Sequence, residues 1–329
     1  MNLTRRTALG AGAVFGLSAT ASRAQSTRWQ FATPYPDGNF HTVNNRAFVK
    51  EIEAASGGKL AVQVHSNAAL LKMGEIKRGV QTGQAQLGEI LISSYGNEDP
   101  FFEVDGIPQL VTSYAQSRKL ADLSRPYIEA RLQRQGLSLL YMVPWPPSGF
   151  YTNAPVSTLD ALKGTKFRTY NVMTSRFATL VGATPTLVQQ AELPQAFATG
   201  VVNAMVTSAQ TGVDVQAWDF CKVFTPIGFT WTKNIVMVSR RALEALPADL
   251  QTKIRDLAKA AEARGWAESE KAKAATEKAL ADKGMQVLQP SKELLAGMDA
   301  VSKTITDEWV AKAGADGKKL IDAYRAAIA

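Results

Sequence analysis

Residues 248–283 read as one long helix, and a helix of that length restricts what the rest of the chain can build. Leu250, Ile254, Leu257, Ala258 and Ala261 share one stripe, and Pro247 stands near the start. Beyond the stripe the sequence is alanine-rich and charged, with Lys273 and Glu277 paired at i,i+4, and Gly284 ends the run. About 35 residues at a 1.5 Å rise make roughly 50 Å of helix. A solvated structural helix or a coiled-coil arm would use that length. A strut laid across two lobes uses it better, and 329 residues make two lobes the natural expectation.

The rest of the chain supplies two sets of elements for such a strut. Alternating residues 29–33, 60–65 and 87–91 read as strands, with helices over 39–55 and 75–82 between them. Asn39 is placed to cap the first helix, and Ser56-Gly57-Gly58 closes it. A helix over 114–135 and a buried strand over 137–143 follow, then Pro144-Trp145-Pro146-Pro147-Ser148-Gly149, a rigid crossing by composition. The rhythm then repeats: strands over 166–170, 184–188 and 202–207, with helices over 173–181 and 192–199. Stretches 224–229 and 234–239 read as strands that carry the chain back. A short last strand over 285–288 and two helices finish it. This strand–helix alternation predicts an α/β fold with parallel sheets. The expected organisation is lobe I over 25–145 and lobe II over 146–233. Residues 234–273 return to lobe I with the first part of the long helix, and 274–329 pack on lobe II.

The first 24 residues read as an address. Arg5 and Arg6 precede an uncharged run from 8 to 22 that is too short and too rich in glycine and alanine to span a bilayer, with small residues for cleavage near Ala21 or Ala24. The arginine pair is similar to a twin-arginine signal, and Ala8 leaves the ordinary secretory route open. Gly10-Ala11-Gly12 lies inside this segment with no strand before it, so it is no dinucleotide loop. Export to the periplasm and a mature chain that does not span the membrane are the expectation. Hydrophobic residues at 46% and charged ones at 20% describe a globular chain. Three positive charges of the formal +8 are in the address, and the mild remainder comes with no basic–aromatic cluster, which argues against nucleic acid. Cys221 is the only cysteine and reads as a buried thiol.

No HExxH pattern, paired-cysteine motif, GxSxG elbow or phosphate loop occurs. No cofactor or metal site is indicated, and His41 and His65 stand far apart. An enzyme reading would rest on Glu89, Glu192 or Asp214, and Glu192 is more simply an acid at a helix start. The strongest binding candidate is Arg168, within Lys163-Gly164-Thr165-Lys166-Phe167-Arg168-Thr169-Tyr170-Asn171. A guanidinium between two aromatics offers a planar fork that matches a carboxylate. A surface arginine on an edge strand is the rival reading.

The run Leu162 to Arg168, then Ala198-Thr199-Gly200-Val201-Val202-Asn203-Ala204, with the export signal and the long late helix, resembles the solute-binding subunits of TRAP transporters, in the dicarboxylate-type receptor family. The resemblance implies two lobes closing over a ligand like a hinge, a helix spanning both, and no chemistry by the receptor itself. It implies membrane subunits as partners and Arg168 as the clamp on a small organic acid. Two positions depart from the family pattern. Ser148 stands near where many relatives carry a second arginine, and Thr207-Ser208 stand where many carry asparagine. With one charged anchor, the favoured ligand is a monocarboxylate with an aromatic or bulky apolar body. Phe40, Tyr95, Trp145, Tyr151, Tyr170, Phe229 and Trp231 are the aromatic candidates, Trp145 and Trp231 foremost. The alternative is a small hydroxy- or keto-acid held by Asn171, Thr207, Ser208 and Gln210.

Overall fold

The computed structural model describes residues 27–329, so the expected signal segment lies outside the described residues. The first lobe comprises β1 (Thr27–Ala32), α1 (Phe40–Ala55), β2 (Leu60–His65), α2 (Met73–Thr82), β3 (Leu87–Leu91), α3 (Tyr114–Arg134) and β4 (Leu137–Pro144). The chain then enters the second lobe as β5 (Ser148–Thr152). There it adds β6 (Lys166–Thr169), α4 (Val172–Leu180), β7 (Thr184–Leu187), α5 (Leu193–Ala198), β8 (Ala204–Ser208), α6 (Ala209–Asp214) and β9 (Val223–Thr225). It returns as β10 (Lys233–Ser239) and α7 (Arg240–Glu244). The long helix α8 (Ala248–Asp282), β11 (Gln286–Val287) and α9 (Lys292–Ile328) follow.

The two sheets have orders β2-β1-β3-β10-β4 and β11-β9-β5-β8-β6-β7. Each contains one antiparallel strand, and in each it is the strand that has just crossed from the other lobe: β10 in the first, β5 in the second. This has a geometric consequence. Strand β4 ends at the crossing, and β5 starts from it. All the parallel strands of both sheets therefore end facing the same gap, the place where open α/β sheets present their loops to a ligand.

The crossings are two extended segments that pair with each other. Trp145 N–H donates to the Thr232 carbonyl, Ser148 N–H to the Thr230 carbonyl, and Phe229 N–H to the Ser148 carbonyl. The strand expected over 224–229 therefore stops at Thr225. Pro226 has no N–H for the ladder, and the chain leaves the sheet to become the second crossing.

Helix α8 is the strut that its length implied. Its first half packs Leu250, Ile254 and Ala258 on the core beneath β2 and β4. In its middle the Trp266 indole donates to the Met142 carbonyl, and Asn44 of α1 donates to the Ala261 carbonyl, both at 2.9 Å. Its last turn puts Leu280 among Cys221, Phe224 and Met285 of the second lobe. The two helices expected at the C-terminus together make up α9 and meet at Gly314, whose φ of 68° and ψ of −152° interrupt the helical backbone between them. That element does not stay on the second lobe, the place expected for 274–329. Ser291 and Arg176–Glu308 tie its first part there. Trp309 then donates to the Pro100 carbonyl, Lys312 pairs with Glu103, and the Tyr324 hydroxyl donates to the Leu110 carbonyl, all in the first lobe. Trp309 and Tyr324 are buried there, with Trp309 edge-on to Phe101 at 5.8 Å between ring centres.

Gly265 marks the closest approach of α8 to the first sheet. A Cβ there would collide with Val143 and come within 2.9 Å of Asn44 Nδ2. Alanine would gain about 1 kcal/mol of helix propensity, against about 1–3 kcal/mol for forcing packed neighbours aside. Melting temperature should therefore fall in the order wild type, Gly265→Ala, Gly265→Leu, with the leucine variant lower by about 5–10 °C. Equal melting curves for all three would contradict this packing.

Candidate functional site

The strand ends of the two sheets and the paired crossings enclose a cavity of about 340 Å³. Arg168 comes to it from β6 and Tyr170 lies two residues on, so strand alternation puts both on one face. Ser148 and Thr207 reach it because β5 and β8 pair with Ser148 opposite Ser208 and Gly149 opposite Thr207. The first lobe contributes Tyr35, Trp145 and Met73, and the loop at Asn67 and Ala68. Those last two residues hold positive φ, at 53° and 56°, secured by hydrogen bonds from their amides to Tyr35 and Thr33.

Arg168 is 3% exposed. Its Nε donates to the Val188 carbonyl at 2.9 Å, Nη1 reaches the Val206 carbonyl at 3.5 Å, and the guanidinium lies 5.0 Å from the Tyr170 ring centre. Among the described residues no carboxylate pairs with it, and burial brings its pKa down to about 10. It is still a cation at neutral pH. An uncompensated buried charge costs several kcal/mol, and an anion entering the cavity removes that cost. The Arg168 geometry thus favours a carboxylate electrostatically and orients it through a planar donor edge.

The other expected site residues divide. Trp145, Tyr170, Thr207 and Ser208 line the cavity with Arg168. Ser208 is also the N-cap of α6, accepting from Thr211 N–H at 3.1 Å. Phe40 stands behind the wall, with its ring centre 5.8 Å from that of Trp145. Tyr95 is turned into the first lobe, donating to the Met73 carbonyl. Tyr151 lies deeper in β5 and packs on Phe224, its hydroxyl on the Ser208 carbonyl at 3.1 Å. Asn171 caps α4, and its amide donates to Ser93 across the gap at 3.0 Å. Gln210 donates to Asp214 at 2.7 Å. Trp231 meets Tyr114 edge-on at 4.7 Å, because Thr232 faces the cavity and its extended neighbour must face away. Phe229 is core against Phe177. Tyr35 and Gln190 line the cavity and were not singled out from the sequence. Tyr35 follows the first parallel strand, a position that marks a cleft loop once the sheet is known to be parallel.

The three carboxylates considered for catalysis are engaged otherwise. Asp214 accepts from Asn39, Gln190 and Gln210. The Asn39 bond joins the two lobes. Glu192 lies on the rim, 3.6 Å from Lys72 of the first lobe. Glu89 is buried behind the wall and accepts from Thr33, Asn45 and Asn234. Burial raises its pKa to about 7 against those hydrogen bonds. His41 Nδ1 stands 3.5 Å from Glu89, and burial pushes the imidazole well below its ordinary pKa, so it is neutral.

Two α/β lobes hinged on paired crossings, with a buried cation in the gap, define a ligand receptor of the two-lobed binding-protein class. The chain belongs to the bacterial extracellular solute-binding proteins, family 7, whose pattern matches residues 32–313. Two Bordetella pertussis extracytoplasmic solute receptors described as binding pyroglutamic acid, DctP7 and DctP6, share this fold. DctP7 is 45% identical over 91% of this chain and 100% of its own, with a TM-score of 0.90. DctP6 is 43% identical over 91% of this chain and 99% of its own, at 0.89. A marine-metagenome TRAP solute-binding protein, described as specific for pyroglutamate, is 34% identical over 92% of this chain and 99% of its own, at 0.89. The protein is a TRAP-type extracytoplasmic solute receptor.

The Glu89–His41 pair gives stability a testable pH response. Between pH 4.5 and about 7 the folded state keeps the Glu89 proton and the unfolded state gives it up. Stability therefore rises on acidification through that window, by about 3 kcal/mol from this group. His41 acts oppositely: below pH 6.5 only the unfolded chain takes its proton, so acidification lowers stability. Glu89→Gln removes the first effect and keeps the second. Its denaturant midpoint should fall more steeply than that of the wild type between pH 7.5 and 5, and parallel profiles would contradict the two assignments.

Proposed function

We propose that this receptor captures a compact monocarboxylate, with pyroglutamate as the first candidate, by closing its lobes on a carboxylate anchored at Arg168. It then hands the acid to the membrane subunits of a TRAP transporter, working in the periplasm after export. The single observation that carries this reading is the buried Arg168 guanidinium, which no carboxylate among the described residues pairs with. The relatives at 34–45% identity add to it, since each is described as a pyroglutamate receptor.

The expected preference for an aromatic or bulky apolar acid finds no support in these relatives. Of the seven aromatic side chains considered, only Trp145 and Tyr170 line the cavity, joined there by Tyr35. Polar groups next to Arg168 (Ser148, Thr207, Gln190) suit the lactam of pyroglutamate, which carries one N–H and one carbonyl beside its carboxylate. The receptor role needs no bond-making by the chain, and Glu89 and Asp214 serve as acceptors within the fold.

Calorimetry with L-pyroglutamate tests the proposal. Losing one partner of a buried charge pair costs about 2–5 kcal/mol, so Arg168→Ala should bind about 30- to several thousand-fold more weakly. Arg168→Lys should recover only part, since an ammonium lacks the planar fork. Unchanged affinity in Arg168→Ala would sink the anchor assignment. A thermal-shift screen separates ligand classes: a micromolar ligand at millimolar concentration adds about 4 kcal/mol. Stabilisation by small hydroxy- or keto-acids alone, with none by pyroglutamate, would move the assignment to those acids.

A further inference from the structure

Asn234, on β10 just past the second crossing, does not line the cavity, yet it holds two side chains that do. Its Oδ1 accepts from the Trp145 indole at 2.8 Å and from the Tyr35 hydroxyl at 3.1 Å. Its Nδ2 donates to Glu89 Oε1 at 2.9 Å, and Glu89 Oε2 accepts from Thr33 and Asn45. Every one of these residues is buried. The direction of each bond is fixed by chemistry. An indole N–H can only donate, so Asn234 must turn its oxygen to Trp145. The amide nitrogen then faces Glu89, and only an accepting oxygen fits there.

The consequence falls on the ligand. Trp145 and Tyr35 meet edge-to-face, with ring centres 4.9 Å apart, and form one corner of the cavity. Both donor hydrogens of that corner point into the wall, toward Asn234. A ligand hydroxyl pressed against the corner on closure loses water and meets no N–H or O–H donor; it can donate to the Tyr35 oxygen, but its own acceptor lone pairs go unpaired there. A compact acid whose polar groups gather near Arg168 avoids this loss. An acid with hydroxyls all round does not.

We propose that Asn234 is a specificity-determining positioning residue. By holding the Trp145 and Tyr35 donors out of the cavity, it excludes polyhydroxylated acids from a site that accepts a compact monocarboxylate, and Glu89 sets the orientation of its amide. The specificity part rests on the receptor reading above.

The test uses Asn234→Leu, which has similar size and no acceptor, and Asn234→Asp, which keeps an acceptor for Trp145 and Tyr35 and shares a proton with Glu89. The first readout needs no ligand. The indole N–H resonance of Trp145, identified by its loss in Trp145→Phe, should exchange with solvent at least about tenfold faster in Asn234→Leu. It should stay slow in Asn234→Asp. The second readout is calorimetry with L-pyroglutamate and with D-glucuronate. The affinity ratio favouring pyroglutamate should fall by about tenfold or more in Asn234→Leu, the size expected for one buried unpaired polar group. It should persist in Asn234→Asp. Unchanged indole exchange in Asn234→Leu overturns the positioning role. Faster exchange with an unchanged ratio overturns the specificity role, and so does an Asn234→Asp variant that behaves like Asn234→Leu. A wild type that binds neither acid removes the pyroglutamate reading, and indole exchange still decides what Asn234 holds. Should Asn234→Leu not fold, Glu89→Gln puts an N–H where an acceptor is required and is read in the same two ways.

Discussion

The Arg168 guanidinium is held in the cavity wall by two backbone carbonyls, and neither carries a full charge. Dipoles can orient a buried cation but compensate it only in part, which leaves a field directed into the gap between the lobes. Much of the surrounding architecture serves to keep that cation both buried and reachable. β6 sits between β7 and β8 in the middle of the second sheet's parallel half, so the arginine backbone cannot drift. The Tyr170 ring shields one side, and the first lobe covers the other.

The paired crossings form a short two-stranded link between the lobes, and α8 and α9 each touch both of them. Polar contacts across the gap include Asn39 with Asp214, Lys72 with Glu192, Ser93 with Asn171 and Ser94 with the Tyr170 carbonyl. Two of them involve the helix caps Asn39 and Asn171, and behind them a continuous apolar cluster joins Phe101 and Ile107 of the first lobe to Met173 and Phe177 of the second.

Much of this was legible in the sequence because it depends on local pattern. The strand–helix rhythm, the long strut, the proline-rich crossing and the Gly164 turn before Arg168 each follow from periodicity or from one residue's backbone limits. Side-chain destination was not legible to the same degree. Trp145 and Trp231 look alike on the chain, each in a loop-like stretch beside a crossing. One lines the cavity and the other backs onto Tyr114. The difference is a single step of extended-chain alternation, and its phase is set by which residues pair across the hinge. Strand alternation likewise turns Tyr151 into the core, whereas Tyr95 ends a 3-10 turn and its hydroxyl is taken by the Met73 carbonyl. Pro226 carried the signal that the strand after Val223 would stop, since a residue without an N–H cannot continue a central ladder.

By itself the sequence determined an α/β chain of two lobes, a helix long enough to join them, and one arginine with the chemistry to hold a carboxylate. Hydrophobic period, helix length and donor geometry are properties of a segment, and they survive without knowledge of its neighbours. Tertiary structure alone decided that Arg168 has no carboxylate beside it among the described residues, that Tyr35 and Trp145 share the oxygen of Asn234, and that Asp214 and Asn39 meet across the gap. Those facts join residues up to 199 positions apart. They depend on strand order and register, which no local pattern encodes, because pairing energy is realised only when both partners are already in place.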